Sequence, residues 1–241
     1  GDDSLREMGR LARHVAGRHH AFGGFIVRSG PAGLQCDRRK PILILPMSSL
    51  PAASYRTLLD TFWRDRSLLR NAGLVFAGSL LLTLSAKVQV PFYPVPMTMQ
   101  TLAVMLIGFV FGWRMAGATV LFYLAQGAFG LPVFAGTPAK GIGMAYMLGT
   151  TGGYLVGFVV AALLCGWLAE RGWDRKPWRI AFAMVLGNAA IYALGIAWLG
   201  TVIGWDKPLL ELGMMPFLYG DLLKIALGVA LLTAGWKLLR R

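Results

Sequence analysis

Asp221 and Lys224 stand three residues apart in the apolar stretch PFLYGDLLKIALGVALL, residues 216–232. On a helix, positions i and i+3 share a face, so the two charges can meet. A charge in the middle of a bilayer costs about 2.5–3.5 kcal/mol on insertion scales. Such a pair is therefore either a structural ion pair that neutralises itself or a polar anchor in a solute pocket. In the second role Lys224 would receive a carboxylate or carbonyl, and Asp221 would accept from N–H donors. Of the five acids after residue 67, Asp221 is the one clearly inside an apolar run, and His14, His19 and His20 all fall near the N-terminus. No nucleophile–base set stands out, and no imidazole is placed to hold a metal in the apolar part. The expectation is a binding protein with no catalytic residues, no metal and no cofactor.

Three further segments carry hydrogen-bonding chemistry. In PFYPVPMTMQ (91–100), three prolines stiffen a loop that ends on Thr98 and Gln100. It reads as a lid over a pocket or as a rigid connector. In GTPAKGIGMAYMLGTTGGYLVGF (136–158), glycines such as Gly152 and Gly153, just before Tyr154, permit close approach to backbone N–H donors. No G-x-x-x-x-G-K-[ST] motif occurs in the chain, so it carries no phosphate loop of its own. Gln126, Asn188 and Tyr192 are polar residues within apolar runs. Asn188 is the most suggestive, because an amide in lipid needs a partner, although a helix–helix hydrogen bond would also satisfy it.

The elements that must position these residues are membrane spans. The 241-residue chain is 56% hydrophobic and 15% charged, with a mean hydropathy of +0.58; soluble domains carry about 25% charge. Six runs approach the roughly 20 apolar residues a span needs: 68–88, 97–113, 115–135, 148–169, 178–203 and 216–238. The fold class is thus an all-α integral membrane protein of six transmembrane helices. Residues Arg64, Arg66, Arg70, Arg114, Arg171, Arg175, Lys176, Arg179, Lys237, Arg240 and Arg241 fall at one side of these spans, and Lys87, Lys140 and Lys207 at the other. Positive charge stays in the cytoplasm, which places both termini inside. The longer outer loops, 88–97, 136–147 and 204–215, then share one face with the outer half of the last span, where Asp221 and Lys224 lie.

The formal charge of +13 does not mark a nucleic-acid protein, because residues 1–66 hold 11 of the 24 basic residues and most others sit at span ends. Residues 1–46 are Arg- and Gly-rich without sustained periodicity and look like an extension ahead of a start near Met47. Residues 54–66 suit a short amphipathic surface helix, so the chain divides into a 1–66 extension and a 67–241 membrane domain. Small residues recur every fourth position, as Gly149, Gly153, Gly157, Ala161, Cys165 and Ala169, and as Gly73 and Ala77. Such stripes allow close helix packing in lipid, inside the bundle or against a partner.

Four blocks, PVPMTMQTLAV (94–104), YLAQGAFGLPVFAG (123–136), GTTGGYLVGF (149–158) and PFLYGDLLK (216–224), together resemble BioY. That family supplies the biotin-binding S component of energy-coupling factor (ECF) transporters. The resemblance covers about residues 67–240. It implies a six-helix fold in the cell membrane, biotin capture from outside, and association with a transmembrane coupling protein and two cytoplasmic ATPases. It implies that Asp221 and Lys224 contact biotin, that Tyr154 with Gly152 and Gly153 forms an element near the pocket, and that Thr98 and Gln100 belong to the lid. It also implies that Gly73 and Ala77 dock the coupling protein. Thr150 departs from the pattern, where a proline is expected. Biotin's ureido N–H groups suit Asp221; Lys224 suits either the ureido carbonyl or the carboxylate. An S component for another vitamin and a stand-alone secondary transporter remain as alternatives. A lipid-modifying enzyme would need a polar catalytic cluster that the spans lack.

Overall fold

The computed structural model describes residues 21–22, 25–26, 57–58, 67–91 and 93–239. The chain divides into two units, Gly1–Leu50 and Pro51–Arg241. In the first, β1 (Ala21–Phe22) pairs antiparallel with β2 (Phe25–Ile26). The extension at 1–46 and the surface helix at 54–66 fall almost wholly outside the described residues; Thr57 and Leu58, which are described, are buried.

The second unit is built from five helices long and apolar enough to cross a membrane. Helix α1 (Leu68–Lys87) starts where Ser67 Oγ accepts from the Arg70 backbone N–H at 3.3 Å, which satisfies one of the free donors of the first turn. A two-residue ladder follows, β3 (Gln89–Val90) against β4 (Met97–Thr98), so the first proline-rich loop is a small hairpin. Helix α2 covers Gln100–Ala128 but is not one rod, because Gly112 has φ 75° and ψ 169° inside it. That left-handed conformation is open to glycine and strained for other residues. Gln100 Nε2 donates to the Tyr123 hydroxyl at 2.7 Å. In a straight helix those residues would lie about 35 Å apart at 1.5 Å per residue. The chain therefore doubles back at Gly112, and limbs 100–111 and 113–128 run antiparallel. The second limb stops at Ala128, ahead of Pro132, with Gly130 at φ 90° opening the next loop.

After this loop come the short α3 (Gly143–Met147) and then α4 (Gly152–Ala169), four residues later than the hydropathy alone suggests. A 3₁₀ turn at Trp173–Arg175 leads to α5 (Pro177–Ile203), which begins on a proline at its first turn, where a missing N–H costs nothing. Short α6 (Leu209–Gly213) and a 3₁₀ turn at Met215–Phe217 precede α7 (Leu218–Leu239).

Helix α4 is the centre of the bundle, packed against both α2 and α5. Its small residues make this possible. A Cβ on Gly157 would stand 2.7 Å from Ile191 Cα, and one on Gly166 would stand 2.4 Å from the Trp113 backbone N. Cys165 and Ala169 are fully buried. Close helix contact of this kind replaces the hydrophobic drive that lipid does not provide. Two apolar clusters result. One lies toward the loops that carry β3, β4, α3 and α6 and includes Tyr123, Phe134, Tyr146, Tyr154, Phe158 and Ile191. The other lies toward the Gly112 reversal and includes Leu58, Phe109, Met184, Leu232 and Trp236.

Candidate functional site

A cavity opens in the loop-bearing end of the second unit, with an empty volume of about 570 Å³ counting its mouth. Ligand pockets are apolar with a few convergent polar groups. The wall fits that description: Leu155, Phe158, Ile191 and Phe217 supply the apolar surface, while Asp221 and Lys224 face it from α7.

Asp221 and Lys224 are 4% and 5% exposed. Lys224 Nζ lies 3.1 Å from Asp221 Oδ1 and donates to Thr101 Oγ1 at 3.1 Å. The Tyr192 hydroxyl donates to Asp221 Oδ2. An ammonium has three donors and a carboxylate about four acceptor sites. One Lys224 N–H and two Asp221 lone-pair positions thus remain open among the described residues. The buried pair is held on three sides by its own bundle and still has valences to offer a ligand.

The other polar groups of the wall are fixed in place. Gln100 is pinned by its bond to Tyr123, whose hydroxyl donates to the Val133 carbonyl at 3.1 Å. Thr98 Oγ1 accepts from the Gln100 backbone N–H at 3.3 Å, so the end of the hairpin loop caps the first limb of α2. Tyr154 donates to the Gly213 carbonyl at 2.9 Å, tying α4 to α6. Tyr146 donates to the Ala135 carbonyl at 2.8 Å and stacks on Phe134 at 4.9 Å. Burial raises the Tyr146 phenol above its usual range and keeps it a hydroxyl.

The loops around the mouth are tied to one another. Thr150 Oγ1 donates to the Pro94 carbonyl at 3.0 Å; a proline at 150 would have no hydroxyl to make this bond. From the end of α1, Lys87 Nζ donates to the carbonyls of Pro132 (2.7 Å), Phe134 (3.1 Å) and Thr137 (3.2 Å). One ammonium thus gathers the loop that brings Ala135 to the cavity wall.

Of the residues singled out in the sequence, Asp221, Lys224, Tyr154, Gln100 and Thr98 come together around this cavity. Gly152 and Gly153 do not line it. Their missing side chains admit Trp198: a Cβ on Gly153 would stand 2.3 Å from Trp198 Cβ and 2.4 Å from the Leu194 carbonyl oxygen. Trp198 Nε1 in turn donates to the Gly149 carbonyl at 2.9 Å. Asn188 is buried outside the wall, its Oδ1 without a hydrogen-bond partner among the described residues, one turn along α5 from the wall residues Ile191 and Tyr192. Gly73 and Ala77 lie on the exposed side of α1, and among the described residues nothing stands within 4 Å of where a Gly73 Cβ would be. Gln126 is taken up by Ser79, which donates to its Oε1. Thr101 and Tyr192 hold the charged pair and were not singled out as ligand contacts. The signal for Tyr192 was its i+4 spacing from Asn188, and that for Thr101 its place beside Gln100.

At the opposite end, Asp174 is fully buried in the 170–176 connector. Trp236 Nε1 donates to its Oδ2 at 3.1 Å, and Arg175 Nε lies 3.8 Å from Oδ1. Burial pushes its carboxyl up to about 6, opposed in part by the Arg175 charge and the Trp236 hydrogen bond.

The family model described as "BioY family" matches residues 56–241. A protein of Pyrococcus horikoshii named "Probable biotin transporter BioY" is 34% identical over 160 residues, which cover 66% of this chain and 92% of that protein. The "Biotin transporter BioY" of Thermotoga maritima is 37% identical over 154 residues, covering 63% and 88%. Among solved structures, the S-component for biotin from an ECF-type ABC transporter superposes with a TM-score of 0.60 at 22% identity, covering 72% of this chain and 95% of that one. At that identity the likeness concerns the fold.

Proposed function

This chain belongs to the BioY family, and from that premise we propose that it is the biotin-binding S component of an ECF-type uptake transporter. It is a transport subunit rather than an enzyme. The observation that carries the reading is the buried Asp221–Lys224 pair, with open hydrogen-bonding positions, in the wall of an otherwise apolar cavity. Biotin has the complementary form: an apolar bicycle and tail, a ureido group with two N–H donors and one carbonyl, and a carboxylate. Asp221 accepts from the ureido N–H groups. Lys224 gives its free N–H to an oxygen of the ligand, either the ureido carbonyl or the carboxylate. Phe158, Ile191 and Phe217 cover the apolar body. Thr98, Gln100 and the hairpin loop close the mouth, and Tyr154 braces the wall.

In this reading the protein crosses the cell membrane six times, with both ends in the cytoplasm. The reversal at Gly112 supports two crossings within α2, and the distribution of Lys and Arg supports the orientation. The cavity then opens to the outside. The absence of a phosphate-loop motif from the sequence supports a need for outside power. Its partners in this reading are a transmembrane coupling protein, docked on the exposed Gly73–Ala77 side of α1, and two cytoplasmic ATPases. Residues 1–50 are an extension ahead of the unit that begins at Pro51.

The test is binding of labelled biotin to the purified chain, with unlabelled biotin and other vitamins as competitors. Saturable binding displaced by biotin alone is expected. No saturable binding would overturn the reading. Binding that survives both Asp221→Asn and Lys224→Ala would overturn the assignment of the site while leaving the function. Co-purification with a coupling protein and ATPases tests the partners.

A further inference from the structure

Four tryptophan–arginine stacks gather at the end of the bundle that holds the Gly112 reversal and the 170–176 connector. The guanidinium carbon of Arg171 lies 3.3 Å from the Trp167 ring centroid, that of Arg114 5.1 Å from Trp113, that of Arg175 4.0 Å from Trp236 and that of Arg179 5.2 Å from Trp178. Trp236 is buried, whereas the other three rings are exposed. Aromatic rings of this kind settle at the headgroup level of a bilayer. Between two of them, Trp113 and Trp167, the surface is hollowed into an apolar groove lined by Val160, Leu163 and Leu164. Its walls are set by close packing. Gly166 brings α4 against the Trp113 backbone, and a Cβ on Gly117 would stand 2.7 Å from a Leu163 methyl.

The charge at this groove is mostly unspent. Among the described residues neither Arg114 nor Arg171 pairs with a carboxylate. Arg171 donates from Nη1 to the Trp167 carbonyl at 3.3 Å, leaving most of its five donors open. The nearby acid, Glu170, uses Oε1 to accept from the Trp113 backbone N–H at 3.3 Å. Each guanidinium is stacked on a ring that walls the groove, which limits its freedom and keeps a planar fork beside that ring. An apolar trough walled by two rings that each carry a guanidinium matches one chemistry: an acyl chain joined to a phosphate.

We propose that the groove between Trp113 and Trp167 is a binding site for one anionic phospholipid. Its acyl chain lies along Val160, Leu163 and Leu164, and its phosphate is bridged by Arg114 and Arg171. Hydrocarbon contact alone would accept any lipid; the two forks select the headgroup, because a choline would set a cation beside them while a headgroup of net negative charge would not. The inference rests on the membrane reading of the chain and is independent of the biotin site.

Native mass spectrometry of the full chain, released from detergent in the presence of phosphatidylglycerol or phosphatidylcholine with identical acyl chains, tests it. One phosphatidylglycerol per protein is expected, retained at least tenfold better than phosphatidylcholine. In the Arg114→Gln/Arg171→Gln double variant that preference falls to within about twofold of none, while biotin binding, read in the same preparation, persists. Equal retention of the two lipids by the unmodified protein would overturn the proposal whether or not the variant folds. An unchanged preference in a folded double variant would overturn it too. Displacement of phosphatidylglycerol by millimolar inorganic phosphate would reduce the site to a simple anion site and overturn the lipid assignment. Since the lipid readout does not use biotin, its failure is separable from a failure of the transport reading.

Discussion

Removing one member of the Asp221–Lys224 pair should damage the protein more than removing both. The two charged groups are 3.1 Å apart and almost fully buried. At an effective dielectric of about 20, that separation is worth about 5 kcal/mol of attraction. Lys224→Met leaves the Asp221 carboxylate with the Tyr192 hydroxyl as its remaining described partner, and such an orphaned buried charge costs about 3–5 kcal/mol. For a chain of this size, about 2–4 °C of Tm corresponds to each kcal/mol, so the single variant should unfold roughly 6–20 °C below the parent. Asp221→Asn/Lys224→Met has no charge to orphan and should recover most of that loss. Its biotin affinity should not recover, because each lost charge-assisted hydrogen bond is worth about 1.5–3 kcal/mol, a factor of about 10–150. Thermal unfolding followed by tryptophan fluorescence, with calorimetric biotin binding beside it, reads both quantities. Single variants as stable as the parent would refute the buried-pair energetics. A double variant that binds biotin at parental affinity would refute the ligand role of the pair.

Other substitutions separate packing from binding. Gly153→Ala would drive a methyl into Trp198 and the Leu194 carbonyl; the expected loss of about 1–3 kcal/mol should appear as a lower Tm with biotin affinity kept in the folded fraction. Tyr192→Phe removes a hydroxyl bonded to Asp221 and should weaken biotin binding about tenfold, by the worth of one hydrogen bond to a charged group, in equilibrium titration. Asp174 has a folded-state pKa pushed up to about 6 against an unfolded value near 3.8. Its folded state holds the proton more tightly, so stability is full below about 4 and is lost as pH rises through about 6. Tm relative to Asp174→Asn should therefore fall between pH 4 and pH 6 and stay level above it. Gly73→Leu meets open space; it should leave Tm and biotin binding unchanged while lowering co-purification with the coupling protein.

How much of this was legible in the sequence follows from the range of the forces involved. Helices long and apolar enough to cross a membrane could be read because about 20 apolar residues with charged ends is a local requirement of the bilayer. The reversal inside α2 was legible for a similar reason, as Gly112 and Arg114 sit together between two apolar runs. The charged pair was legible because both partners lie within one helical turn. What could not be read depends on distant partners. Gly152 and Gly153 look like exposed backbone donors beside a pocket, yet the residue that uses their missing side chains, Trp198, lies about 45 positions on and arrives only by helix packing. Tyr192 resembles any span tyrosine until α5 crosses α7. The short helices Gly143–Met147 and Leu209–Gly213 are too brief for a local period to announce them.

The same division between local and distant forces bears on how the pocket can be connected to a partner. Over its apolar window α1 is 17% buried, against 67% for α4, and it contributes no residue to the cavity wall among those described. Its exposed side can therefore be covered by another membrane protein without disturbing Asp221, Lys224 or the apolar wall. Yet α1 is not detached from the site. Lys87 at its C-terminal end holds the carbonyls of Pro132, Phe134 and Thr137, and Ala135 between them lines the cavity. The Met99 backbone N–H, at the far end of the hairpin loop, donates to the Val88 carbonyl just past α1. A tilt of α1 thus strains two mouth loops through short polar contacts, while the pair on α7 stays fixed by its own helix and by Thr101 and Tyr192. If docking on α1 opens the mouth, Lys87→Met should slow partner-dependent biotin release while leaving partner-free affinity within a few-fold. Equal release rates with and without the Lys87 contacts would show that the opening force enters by another route.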